Sequence, residues 1–145
     1  MSADPFERFV VAQDPLLAQI HEELRAGRKR THWMWFVFPQ IAGLGHSPTA
    51  RHFALASRAE AQAYLAHPVL GPRLIDCTGL VNRHAGRSAH EMFGSPDDLK
   101  FHSCVTLFAR AQPGASVFQD ALDTFFGGAP DKLTESILVA ERPAR

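Results

Sequence analysis

The sequence has little cysteine, no excess of either charge and no long apolar run, and each absence excludes a class of protein. Two cysteines without a CxxC spacing exclude a disulfide scaffold of the secreted type. A formal net charge of zero with 46% hydrophobic residues excludes a disordered, purely solvating chain. The longest apolar run, Trp33 to Phe38, is too short to cross a bilayer. The acidic, proline-containing start, residues 1–7, is untypical of a secretory signal, so we expect a cytoplasmic protein with no membrane partner.

Helix-start signals recur along the 145 residues. A capping Asp or Ser stands before a proline at four places, which are Asp4-Pro5, Asp14-Pro15, Ser47-Pro48 and Ser95-Pro96. Proline is tolerated at the first helical position because its missing N–H would be unpaired there. Apolar residues recur at i, i+3, i+4 and i+7, and the sustained alternation typical of strands is absent. The pattern predicts one all-α domain over residues 1–145, a single-domain bundle of about seven or eight short helices.

A run of cations leads directly into an aromatic segment between Arg25 and Gln40. Guanidinium groups next to aromatic rings suit a phosphate and a stacked base. The candidate ligand-binding residues in this stretch are Arg28, Lys29, Arg30, His32, Trp33, Trp35 and Gln40. The alternative is that residues 33–38 form a buried core segment and that the cations are an ordinary solvated helix end. The glycine-containing loop that follows, residues 40–49, leads into a capped helix start and can present backbone N–H groups to an anion, but a plain helix connection explains it without a ligand and is favoured.

Lys100 occupies an unusual position on the helix predicted after Pro96. With an advance of about 100° per residue, Lys100 falls inside the apolar arc of that helix, and Asp97 falls near the centre of the arc. An isolated buried charge is costly in free energy, so we expect an amine and a carboxylate at this spacing to form an ion pair. Such a pair can act as a general acid or base, or can bind an anion. We therefore name Lys100 and Asp97 as candidate catalytic residues. The alternative is a structural ion pair, or a lysine whose ammonium reaches solvent.

Histidine is abundant, with eight residues, but its spacing gives no metal motif. The string from His21 to Arg25 begins like a zinc-protease motif and has arginine where the second histidine belongs. Cys77 and Cys104 lie on predicted apolar faces, so we expect them to be core residues rather than nucleophiles. We expect neither a metal nor a cofactor.

Several strings of the sequence resemble one bacterial family. They are residues 8–15, 27–40, 43–45, 66–71, 95–100 and 125–128. The tryptophan-containing string and the Asp97–Lys100 string are the most specific, and together they resemble the domain of unknown function 1810 family, often mislabelled calpastatin. The resemblance covers about residues 4–128 and implies an all-α, single-domain, intracellular protein without an established activity. After the lysine the family often has paired serines and a methionine, where this sequence has Ser103, Cys104 and Val105.

Two functions from different classes are compatible with these residues. A fainter similarity is to helical proteins that act on ADP-ribose and NAD-derived conjugates, at the level of fold and composition. The first hypothesis is therefore that the protein binds or hydrolyses a small phosphorylated, nucleotide-like ligand in a basic, aromatic pocket, with Ser103 among the ligand-binding residues. If it is an enzyme, we expect metal-independent hydrolysis of an N-glycosidic or phosphate-ester bond. The alternative is a non-catalytic RNA- or protein-binding module that uses the stretch from Arg25 to Trp35. The zero net charge makes RNA the less favoured partner.

Overall fold

Short helices account for nearly all regular structure in the computed structural model, which describes residues 4–141. In this part of the chain there are ten α-helices and one 3₁₀-helix. The α-helices are α1 Glu7–Gln13, α2 Leu17–Ala26, α3 Met34–Val37, α4 Pro48–Phe53, α5 Arg58–Ala66, α6 Leu70–Asn82, α7 Ala89–Phe93, α8 Asp97–Ala111, α9 Ser116–Phe126 and α10 Lys132–Ala140, and the 3₁₀-helix is Asp14–Leu16. The described residues contain no strand, only a parallel bridge between Ile41 and Leu55. The all-α prediction is confirmed. The structure has more helices than seven or eight because α3, α4 and α7 are too short to show a helical period.

Side-chain caps begin several of these helices, and the one at Ser47 lies at a predicted helix start. Ser47 accepts a hydrogen bond from Ala50 N–H at the start of α4, and Ser88 forms a full capping box with Glu91 at the start of α7. Ser95 behaves differently from the prediction, because α8 begins at Asp97 and Ser95 caps nothing. The cap signals therefore locate helices to within a residue or two.

Helix α8 forms the centre of the fold. It contacts α5, α7, α9 and α10, and nine of its 15 residues are buried. Cys104 of α8 and Cys77 of α6 are buried free thiols, as predicted. Burial raises the pKa of Cys77 to about 12 and raises that of Cys104 well above its ordinary value. Among residues 4–141, no helix is both long and apolar enough to span a membrane.

Helices α5 and α6 approach so closely at their connection that only glycine fits at position 71. A Cβ on Gly71 would lie 2.0 Å from the carbonyl oxygen of Leu65. Gly79, on the same helix, has no atom within 4 Å of the corresponding position. Gly71→Ala is expected to lower the free energy of unfolding by about 2–4 kcal/mol, because the backbone must move to relieve the clash. The matched control Gly79→Ala is expected to raise it by about 0.5–1 kcal/mol, since alanine is the better helix former. Urea unfolding of both variants checks this, and similar stabilities for the two would contradict it.

Candidate functional site

Glu23 organises the cationic stretch between α2 and α3. Its side chain lies on the buried face of α2, and the residue is only 1% exposed. Oε1 accepts hydrogen bonds from the Arg30 N–H at 2.7 Å, the Thr31 N–H at 3.2 Å and the Trp33 indole N–H at 3.0 Å. Oε2 accepts from the Thr31 hydroxyl at 2.7 Å and from the Gln19 amide at 3.1 Å. A single carboxylate therefore fixes the path of the chain after α2.

The charge state of Glu23 follows from these contacts. Burial raises the pKa of its carboxyl, but the hydrogen bonds from Arg30, Thr31, Trp33 and Gln19 outweigh burial and lower the pKa to about 2. The carboxylate is therefore charged at neutral pH. A buried charge of this kind persists because each oxygen is supplied with donors.

This path places Trp33 inside the protein and Trp35 at its surface. Trp33 is fully buried and packs near Phe38. The Trp33 ring therefore offers no accessible face to a ligand in this structure, because the hydrogen bond to Glu23 draws the indole into the core. Trp35 is half-buried, so one aromatic ring of the segment stays accessible. Trp33 thus fits the alternative of a buried core segment, and Trp35 remains a candidate ligand-binding residue.

Two lysines share the carboxylate of Asp97. Lys100 Nζ lies 3.2 Å from Asp97 Oδ1, which is the pair predicted from the helical spacing. Lys29 Nζ lies 2.8 Å from Oδ2. The Lys29 side chain is 7% exposed, Asp97 is 19% exposed and Lys100 is 22% exposed. Because one carboxylate neutralises one ammonium group, the three side chains, here called the lysine–aspartate triad, carry a net charge of about +1.

Lys100 connects this triad to an open cleft of about 410 Å³. Its ammonium group lies 4.6 Å from the centre of the Trp35 ring, a cation–π distance. Gln40 and Ser103 line the same cleft; the Gln40 amide donates to the Ser103 hydroxyl at 2.6 Å, and that hydroxyl donates to the Lys100 carbonyl oxygen at 3.1 Å. We call this space the Trp35 cleft. Four residues predicted from separate parts of the sequence, Trp35, Gln40, Lys100 and Ser103, thus lie around one cavity.

The other predicted residues lie outside the Trp35 cleft. Arg28, Arg30 and His32 are exposed and do not line it. Lys29 points to Asp97, and Asp97 does not line the cleft itself. Arg28 and Arg30 stay exposed while Glu23 draws Trp33 inward, and only Lys29 follows it, with its ammonium group 5.2 Å from the centre of the Trp33 ring.

Several cleft residues were not predicted from the sequence. His46 comes from the glycine-containing loop, and Leu99 comes from the exposed side of α8. Asp131 and Leu133 come from the start of α10, where Asp131 accepts hydrogen bonds from the Thr134 N–H and hydroxyl. The loop signal at residues 40–49 could have indicated His46. No local pattern indicates α10, because its approach to α8 is a tertiary contact.

Metal-binding geometry is not found in the described part of the chain. Within residues 4–141, no group of three or more His, Cys, Asp or Glu side chains is placed to hold a metal ion. The functional groups of the Trp35 cleft are therefore an ammonium, an aromatic ring, an amide and a hydroxyl, with His46 and Asp131 at its wall.

Comparison with known proteins supports the resemblance noted in the sequence. Residues 3–138 match the model of the family described as "Protein of unknown function (DUF1810)". The crystal structure of the conserved hypothetical protein Rv1873 from Mycobacterium tuberculosis is similar to this chain, with 55% sequence identity and a TM-score of 0.91. The alignment covers 92% of this chain and 96% of that one. A search of curated proteins gives no match. The family match over nearly the whole sequence shows that the chain belongs to the DUF1810 family.

Proposed function

We propose that this protein binds a small anionic, nucleotide-like ligand in the Trp35 cleft. The observation that carries the proposal is the lysine–aspartate triad, in which Asp97 serves two ammonium groups. Lys29 is the more enclosed of the two, and Lys100 is the one that lines the cleft. The positive charge that Asp97 leaves unneutralised can therefore be placed on Lys100, which lines the Trp35 cleft. A phosphate or carboxylate placed there would complete the neutralisation.

The remaining walls favour a ligand that has a flat or apolar part beside its anion. Trp35 offers an aromatic ring, and Leu99 and Leu133 flank the opening with 61% and 67% of their surfaces exposed. Two large apolar side chains from different helices are thus accessible at one opening. Gln40 and Ser103 add polar groups that can orient a ligand. A volume of about 410 Å³ suits a ligand of mononucleotide size.

We propose different roles for the two candidate catalytic residues, Lys100 and Asp97. Lys100 lines the cleft and is placed to meet the anion of a bound ligand. Asp97 does not line it, so we propose a positioning role in which Asp97 holds the Lys100 ammonium group. Ser103 already donates to the Lys100 carbonyl and accepts from Gln40, which suits orientation rather than nucleophilic attack. If turnover occurs, hydrolysis of an N-glycosidic or phosphate-ester bond would use Lys100 to stabilise the leaving anion.

The binding-module alternative has weaker support. Arg25, Arg28 and Arg30 are exposed, and a polyanion could reach them. Trp33 is fully buried, however, so the stretch does not offer a base-stacking ring at that position. We therefore place the proposed function in the cleft.

A ligand screen on the Lys100→Met variant tests the proposal. The panel is nucleoside monophosphates, ADP-ribose, NAD and sugar phosphates, followed by thermal unfolding. Free ligand at 100 times its dissociation constant stabilises the fold by about 2.7 kcal/mol, which raises the melting temperature by about 5 °C or more. Lys100→Met is expected to weaken binding by about tenfold or more, because a charge-assisted hydrogen bond is lost. Lys132→Met, which removes an exposed ammonium group, is the matched control and is expected to bind as the wild type does.

Tryptophan fluorescence adds a readout specific to the cleft. Of the two tryptophans, only Trp35 lines it, so bound ligand should change Trp35 emission and this change should disappear in Trp35→Phe. A ligand that changes Trp35 emission and yet shifts the melting temperature equally in the wild type and Lys100→Met contradicts the proposal. So does a panel in which no compound binds.

A further inference from the structure

A second cleft, here called the arginine cleft, lies between α2 and α6 and has a volume of about 530 Å³. Its polar walls are His21 and Arg25 of α2, Asp76 of α6, and Arg83, which follows the last residue of α6. Gly79 lies at the same surface, and a Cβ built on it meets no atom within 4 Å. The arginine cleft shares no residue with the Trp35 cleft. It is therefore an independent space.

The charges in the arginine cleft are not neutralised by ion pairs. Within residues 4–141, the guanidinium groups of Arg25 and Arg83 form no hydrogen bond or ion pair, and the Asp76 carboxylate forms none either. Two cations and one anion leave a net charge of about +1 before His21 is counted. Guanidinium groups bind phosphate and carboxylate oxygens through paired hydrogen bonds. The cleft thus has the donors of an oxyanion site.

One unsatisfied polar atom belongs to a residue that lines the arginine cleft, and a second belongs to Asn82, which does not line it. In the described part of the chain, His21 Nε2 and Asn82 Oδ1 are the buried side-chain polar atoms that have no hydrogen-bond partner. His21 lines the cleft, and the Asn82 amide donates at 3.0 Å to the carbonyl of Val117, another of its residues. Because nearly all buried polar atoms in folded proteins have a partner, the unpaired His21 Nε2 is unusual for a residue in the wall of a cleft.

We propose that the arginine cleft binds a small phosphate monoester that carries hydroxyl groups, such as a polyol or sugar phosphate. The phosphate oxygens would accept hydrogen bonds from Arg25 and Arg83. The ligand hydroxyls would donate to the Asp76 carboxylate, which otherwise repels a plain anion. The requirement to satisfy both charges distinguishes a hydroxylated phosphate from inorganic phosphate.

His21 provides a reporter for occupancy. Burial lowers the pKa of its imidazole, Arg25 and Arg73 lower it further, and Asp76 raises it. A dianion bound near the guanidinium groups would offset their repulsion of the protonated ring. Ligand binding is therefore expected to raise the pKa of His21.

The experiment follows the His21 ring proton by NMR, assigned from its loss in His21→Gln, while three probes are added separately. Glycerol 3-phosphate is expected to bind and raise the His21 pKa, inorganic phosphate to bind more weakly, and glycerol not to bind. Arg25→Gln and Arg83→Gln are each expected to weaken glycerol 3-phosphate binding about tenfold or more. Gly79→Met should also block it, because the side chain enters the cleft without a clash at its Cβ.

Matched variants separate this site from its alternatives. Arg28→Gln removes an exposed arginine outside both clefts and is expected to bind normally, as is Lys100→Met in the Trp35 cleft. Unchanged affinity in Arg25→Gln, Arg83→Gln and Gly79→Met would overturn the proposal, and so would a His21 resonance that no probe moves. A short RNA that binds through Arg25 and Arg83 when glycerol 3-phosphate does not would also overturn it, since the phosphate source would be a nucleic acid.

Discussion

Glu23→Gln is expected to lower the free energy of unfolding by about 3 kcal/mol at pH 7 and to leave the all-α fold in place. The folded-state pKa of about 2 lies well below the ordinary value of 4.5. That difference corresponds to about 3 kcal/mol of stability at neutral pH. The glutamine side chain also replaces one carboxylate oxygen with an NH₂ group, which cannot accept the hydrogen bonds that are donated to that oxygen in the wild type. The loss is therefore large for a change that keeps the size of the side chain.

The pH dependence of this loss has a definite sign. A carboxyl group whose pKa is lowered by folding contributes its full stability above the unfolded-state pKa and loses it as the pH falls toward the folded-state pKa. The difference in free energy of unfolding between wild type and Glu23→Gln should therefore reach its full value above about pH 5 and fall to less than half of that value by about pH 3. Urea unfolding at pH 7, 5, 4 and 3 measures it. The difference between the two proteins isolates Glu23 from the other acidic groups.

Glu22→Gln is the matched control, because Glu22 is the exposed neighbour on the same helix. It is expected to change stability by less than about 0.5 kcal/mol. A gap between wild type and Glu23→Gln that stays constant from pH 7 to pH 3 would show that Glu23 does not hold a lowered pKa. Equal effects of the two substitutions would show that its hydrogen bonds contribute little.

The helical period predicted the part of the site that lies on one long helix. Lys100 and Asp97 fall on the apolar side of α8, and a charge in such a position is visible from spacing alone. Glu23 could have been found by the same argument, since it lies three residues after Ile20 and directly before Leu24 on the buried face of α2. The sequence instead drew attention to it only as part of an incomplete zinc motif.

Other parts of the site depend on contacts that have no local signature. Helix α3 has four residues, which is too few for a period to show that Trp33 points inward and Trp35 outward. The Lys29–Asp97 pair joins residues far apart in sequence, and neither neighbourhood indicates the other. Leu133 reaches the Trp35 cleft only because α10 packs against α8. The fold class was therefore predictable, while the composition of the cavity required the tertiary structure.

Asp97→Asn is expected to lower the free energy of unfolding by about 2–3 kcal/mol, because it leaves two ammonium groups without their shared carboxylate. Removing one member of a buried ion pair costs about 3–5 kcal/mol, and the partial exposure of Asp97 and Lys100 reduces that figure. Lys29 bears most of the loss, since its side chain is only 7% exposed. Asp120→Asn, at an exposed position on α9, is the control and is expected to be near neutral.

The double variant Lys29→Met, Asp97→Asn distinguishes a structural triad from independent residues. Methionine keeps most of the apolar length of lysine without its charge, so the double variant no longer holds an unpaired cation in the enclosed position. Its loss in free energy of unfolding is expected to be smaller than the sum of the two single losses by about 1–2 kcal/mol, and a double-mutant cycle in urea measures this difference. Additive losses would mean that Lys29 and Asp97 act separately. In that case Asp97 would pair with Lys100 alone, and the net positive charge that the triad is proposed to offer to the Trp35 cleft would be lost.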